Sequence, residues 1–108
     1  MSDYAPDRWV VLKIVNEGNT YYKVLAGWVG GYLEGDSWRL NSGVTCVTET
    51  IDTYTFSGTS GSKYVCSKHS YGTTIMTASI FNRLSERFPG QISIMPEDTD
   101  WDKVTFNY

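Results

Sequence analysis

The chain has a single histidine, His69, and only two cysteines, Cys46 and Cys66. There is no Cys-x-x-Cys pair, and one imidazole cannot complete a tetrahedral site with two distant thiols, so no metal is expected. No apolar run comes near the ~18 residues that cross a bilayer. The opening residues, MSDYAPDR, lack both the basic and the apolar stretch of a secretory leader. These absences predict a cytoplasmic protein with reduced thiols, no cofactor, no metal and no membrane contact. Strong charge of one sign is also missing. The net charge is −3, and the bases cluster over 63–93, where Lys63, Lys68, Arg83 and Arg87 face Glu86 alone. The tail that follows is acidic, with Glu97, Asp98, Asp100 and Asp102. A broad basic footprint for nonspecific nucleic-acid binding is therefore absent.

Large apolar side chains are abundant. Four Trp, eight Tyr and four Phe occur in 108 residues, and 41% of the chain is hydrophobic. That length fits one domain, 1–108, able to bury a core without staples. The β-branched and aromatic content favours strands. RWVVLKIVN (8–16) and TYYKVLAGWV (20–29) flank EGN (17–19) and read as a hairpin. A two-residue turn at Gly18-Asn19 would set Trp9 opposite Trp28, Val11 opposite Ala26 and Val15 opposite Tyr22. One face of this hairpin is aliphatic and the other aromatic, so both need cover. SWRL (37–40), 44–57, 62–68 and QISIM (91–95) read as further strands, with KVTFNY (103–108) as a final edge strand. Over 74–88, Met76, Ile80, Leu84 and Phe88 recur every four residues, with Ile75, Ala78 and Phe81 widening the stripe, which predicts the one helix. Thr73 or Thr74 caps it and Pro89-Gly90 ends it. The expected class is α+β: a mainly antiparallel sheet of five to seven strands with one amphipathic helix packed on one face.

Motifs that suggest chemistry fail on inspection. Gly35-Asp36-Ser37 resembles the nucleophile block of GDSL-type hydrolases. Those enzymes need a downstream Asp-x-x-His, whereas His69 is preceded by Val65 and Cys66. The stretch is better read as a turn leading into a short strand that presents Trp38 and Arg39. Asp98, Asp100 and Asp102 have the spacing of half a calcium loop, but Lys103 occupies the position that needs glycine. Gly58-Thr-Ser-Gly61 before Lys63 lacks phosphate-loop spacing.

Binding residues are drawn from exposed-type aromatics and Arg, the types enriched in interface hot spots: Trp9, Tyr22, Trp28, Tyr32, Trp38, Arg39, His69 and Tyr71. A nucleic-acid alternative uses Tyr64 for stacking with Lys63 and Lys68 on phosphates. A third reading gathers Asp36, Arg39 and His69 into one catalytic pocket.

The run WVVLKI…YYKVLAGWVGGYLEGDSWRLNSG, with SGSKYVCSKHSYG and MPEDTDW, resembles a group of small proteins encoded by large tailed bacteriophages and marine relatives. The resemblance spans most of the chain and brings no assigned activity, so no functional residue carries over. It implies expression in the cytoplasm of an infected bacterial host. The leading expectation is a non-enzymatic accessory protein. It would bind a protein partner, or a second copy as a homodimer, through the aromatic sheet face or the 30–43 loop.

Overall fold

A computed structural model describes residues 3–30 and 35–106. Its elements are β1 (Asp3–Tyr4), β2 (Arg8–Asn16), β3 (Asn19–Trp28), β4 (Ser37–Leu40), β5 (Val44–Glu49), β6 (Thr53–Gly58), β7 (Lys63–Ser67), α1 (Ile75–Arg87) and β8 (Ile92–Ile94). The class is α+β, mostly antiparallel, with a single helix. The strands divide between two four-stranded sheets, ordered β1-β7-β6-β5 and β4-β3-β2-β8. The parallel pairing is β1 with β7.

The β2–β3 hairpin is the middle layer. Its Trp9, Val11, Val24 and Ala26 pack against Val44, Phe56, Tyr64 and Cys66 of the other sheet. Its opposite face, Val10, Leu12 and Leu25, is covered by Ile80, Phe81 and Leu84 of α1. The molecule is thus sheet, sheet and helix, and both apolar faces of the hairpin are closed by the chain itself. The outer sheet has one wet face. In β7 the buried Tyr64 and Cys66 alternate with the exposed or half-buried Lys63, Val65 and Ser67, the period-two pattern of a one-sided strand.

The hairpin register differs from the expected one. The turn is Glu17-Gly18, both at positive φ (51° and 81°), and Asn16 pairs with Asn19. This is the geometry of a two-residue primed turn, with glycine in the second central position. Moving the turn by one residue shifts each partner by two, so Trp9 faces Ala26 and Val11 faces Val24. A shift of two keeps every side chain on its face, and the division into aliphatic and aromatic faces survives.

Two further expectations are corrected. KVTFNY forms no strand over its described residues: Trp101–Lys103 is a 3-10 turn and 104–106 is irregular. Ile75, placed on the buried helix stripe, is 89% exposed. It stands at the first helical position with its side chain to solvent, while Thr74 and Thr77 on either side of it face the sheet at Gly27. The helix begins as expected. Thr74 and Thr77 form a capping box, each side chain accepting from the other's backbone N–H, at 3.0 and 2.8 Å.

Trp101 lies within the acidic tail. It is 1% exposed, and its ring meets Phe56 edge-on at 5.5 Å. The PEDTDWD segment therefore closes the aromatic layer from one end.

The helix lies unusually close to the sheet at Gly27. A Cβ there would sit 2.9 Å from the methyls of both Thr74 and Thr77. Gly27→Ala is expected to destabilise the protein by about 1–3 kcal/mol through overpacking. Because serine keeps the capping hydroxyl and drops the methyl, Thr74→Ser with Thr77→Ser should recover part of that loss. Chemical denaturation of the variants measures both effects; additive losses would contradict the contact.

Candidate functional site

Of the aromatics singled out from the sequence, most are structural. Trp9 is 2% exposed, donates its indole N–H to the Ser67 carbonyl at 2.7 Å, and packs on Phe56 and Tyr71. Trp28 is half-buried and donates to the Ala5 carbonyl at 3.0 Å. Tyr22 is half-buried against Phe106. Tyr71 is held between strands. Its hydroxyl accepts from the Val11 N–H at 3.2 Å and donates to the Met95 carbonyl at 2.6 Å. Burial pushes its phenol above the ordinary tyrosine range. Tyr32 lies outside the described residues.

The residues of the nucleic-acid reading are largely occupied. Tyr64 is 3% exposed and rests against Tyr4. Lys68 is paired with Glu49 and lies over the Tyr54 ring at 4.9 Å. Lys63 is exposed. The pocket residues of the enzymatic reading are not brought together. Arg39 pairs with Ala26, Ala26 with Trp9, and Trp9 bridges to Tyr71 on its far side. Three strand spacings, about 14 Å, therefore separate Arg39 from the His69–Tyr71 segment. His69 is exposed, and its backbone N–H donates to the Ser67 hydroxyl at 3.2 Å. Among the described residues no three His, Cys, Asp or Glu side chains converge as a metal site. No described helix is long and apolar enough to cross a membrane.

What remains is Trp38, which is 44% exposed. It stands on β4, whose one strand neighbour among the described residues is β3. Its partner Gly27 lies under the helix start, and Trp38 lines a cleft of about 330 Å³ with Asp36, Ile75, Met76, Ile80 and Arg83. A separate cleft of about 300 Å³ lies at Leu40 toward the helix C-terminus, lined also by Ile14, Lys23, Leu84, Phe88 and Ile92. Trp38 and Leu40 are two apart on β4 and so share the helix-facing side. Arg39 points to the other side, with its guanidinium 4.5 Å above the Tyr4 ring. The Asp36 carboxylate accepts from the Gly30 N–H at 3.1 Å. Gly30 and Gly35 come so close that no Cβ fits at Gly30.

The sequence named Trp38 but missed its companions on α1. Ile75, Met76 and Arg83 line the same cleft, and only the packing of α1 beside β4 brings them there. The readable signal was a helix whose first apolar residue precedes its buried stripe.

The two cysteines are free, Cys46 exposed and Cys66 buried. Burial pushes the Cys66 thiol well above its usual range. One thiol per chain is therefore expected to react with an aromatic disulfide reagent in the native protein, and the second only on unfolding. Equal rapid reaction of both would contradict this packing. Comparison of the chain with protein-family models, with curated proteins and with solved structures found no match.

Proposed function

We infer that the protein is a protein-binding domain that works through the surface formed by Trp38, the edge of β4 and the first half of α1. The observation that carries this reading is the position of Trp38. Trp9 and Trp101 are inside the core and Trp28 is hydrogen-bonded at its margin, while Trp38 presents its ring at an open cleft. Ile75, at 89% exposure, and Val29, at 59%, add apolar area near it on α1 and after β3. Exposed apolar groups beside a cleft and a nearby arginine are the makings of a binding hot spot. The aromatic face of the hairpin takes no part, because the β5–β7 sheet covers it.

The reading fits a small accessory protein of an infected bacterial cell, with no chemistry of its own. Its test is capture from bacterial lysate with the native protein and with Trp38→Ala as baits, both verified as folded by circular dichroism. The native bait should retain a partner that Trp38→Ala binds about 30-fold more weakly, the loss of a tryptophan hot spot of roughly 2 kcal/mol. Equal retention by both baits would refute the assignment.

A further inference from the structure

The backbone of β4 carries more information than its side chains. The Asn41 N–H donates to the Val24 carbonyl at 3.0 Å, and the Val24 N–H donates to the Asn41 side-chain oxygen at 2.9 Å. Asn41 and Val24 are therefore a hydrogen-bonded pair, with the amide side chain standing in for the strand's own carbonyl. In an antiparallel ladder such pairs alternate. Arg39 with Ala26 and Ser37 with Trp28 are then bonded pairs, while the N–H and C=O of Trp38 and Leu40 point away from β3. The inward direction of the Asn41 amide and the β3–β4 register fix this phase independently of any side-chain position.

A strand edge with two residues unpaired among the described residues is a template for another strand. Edges left open in proteins are usually blunted by a charge, a proline or a bulge; β4 has no proline and no register shift, and its one charge, Arg39, is held over the Tyr4 ring on the face away from α1. A strand added there would run directly past Trp38 and along the two clefts beside α1.

Charge selects the occupant. Arg83 lines one cleft and Lys23 the other, and among the described residues neither has an anionic partner. Asp36 shares the Trp38 cleft with Arg83 and stays anionic while accepting from the Gly30 N–H, so Arg83 and Lys23 against Asp36 leave one net positive charge across the two clefts. A second copy pairing antiparallel through the same outward residues, Trp38 against Leu40, would set the two Arg39 side chains directly opposite each other as like charges. We propose that β4 binds an extended segment of a partner protein by strand addition, the segment carrying apolar residues for the Trp38 cleft and carboxylates for Arg83 and Lys23. This rests on the protein-binding reading above and names its mode and the chemistry of the partner.

The experiment is selection of a random 12-residue peptide library on the immobilised native protein, followed by amide hydrogen exchange with a selected peptide bound. Selected sequences should be extended types rich in Asp or Glu beside β-branched or aromatic residues. They should slow exchange at the Trp38 and Leu40 amides by about tenfold or more, and leave the already bonded Arg39 amide little changed. N-methylation of alternate peptide residues should abolish binding. Peptides that bind, lose affinity in Trp38→Ala and leave both amides unprotected would overturn strand addition while sparing the binding reading. Peptides indifferent to Trp38→Ala, or no enrichment at all, would overturn both. Protection of the two amides in a peptide-free dimer, seen by sedimentation, would overturn the proposal in favour of a second copy.

Discussion

The β2–β3 hairpin buries both of its faces, and the rest of the structure follows from that requirement. Its aliphatic side, Val10, Leu12 and Leu25, takes the helix, and its aromatic side, Trp9 and Val11 with Val24 and Ala26, takes a second sheet. Each covering layer can then be one-sided, with polar residues outward, as β7 shows by alternation. Burying a large side chain stabilises by about 1.5–3 kcal/mol, so leaving the aromatic side wet would cost several such terms. The acidic tail contributes by folding Trp101 back onto Phe56 at the open end of that layer.

Covering both faces from within one chain alters where binding can occur. The residues most suggestive of an interface by type, Trp9 and Tyr64, are the ones most needed inside. Tyr71 is committed as well, since its hydroxyl joins Val11 to Met95 and takes the place of a strand contact. What the layers leave over is an edge. β4 is short and exposed, pairs along one side only among the described residues, and has α1 beside Trp38 and Leu40. Function in this fold is therefore sought at the seam between layers, where backbone and apolar side chains are both accessible.

Most of the elements were legible in the sequence, the exceptions being β1, which was not expected, and the strand expected over KVTFNY, which does not form over its described residues. The period of Met76, Ile80 and Leu84 and the cap at Thr74 locate α1, and glycine-containing turns at 41–43 and 58–61 bound the 44–57 stretch, whose division into β5 and β6 at 50–52 has no glycine to mark it. The turn was read one residue late because Asn19 suits positive φ better than Glu17 does; in the structure Glu17 takes that conformation and Gly18 fills the second central place. The need for cover on the aromatic face was legible too, but its source was not. Alternation says which face of a strand is buried, and it does not say whether the next hairpin pairs at the sheet edge or stacks on the face. Trp101 escaped because its neighbours are acidic and its burial comes from contacts with β6, far away in the chain. The cleft at Trp38 depends in the same way on helix docking, which a linear pattern does not encode. Of Gly-Asp-Ser, the structure retains the turn and the strand, with Asp36 holding the Gly30 N–H.

The central claim is that one chain closes both faces of its hairpin and leaves Trp38 as its exposed indole. Fluorine NMR of 5-fluorotryptophan-labelled protein, with solvent isotope shifts read on a sample whose mass is set by sedimentation, tests it most directly. The account predicts a 12.2 kDa monomer in which the Trp38 resonance responds to solvent and those of Trp9 and Trp101 do not. A dimer in which Trp9 becomes solvent-responsive on dilution would contradict it.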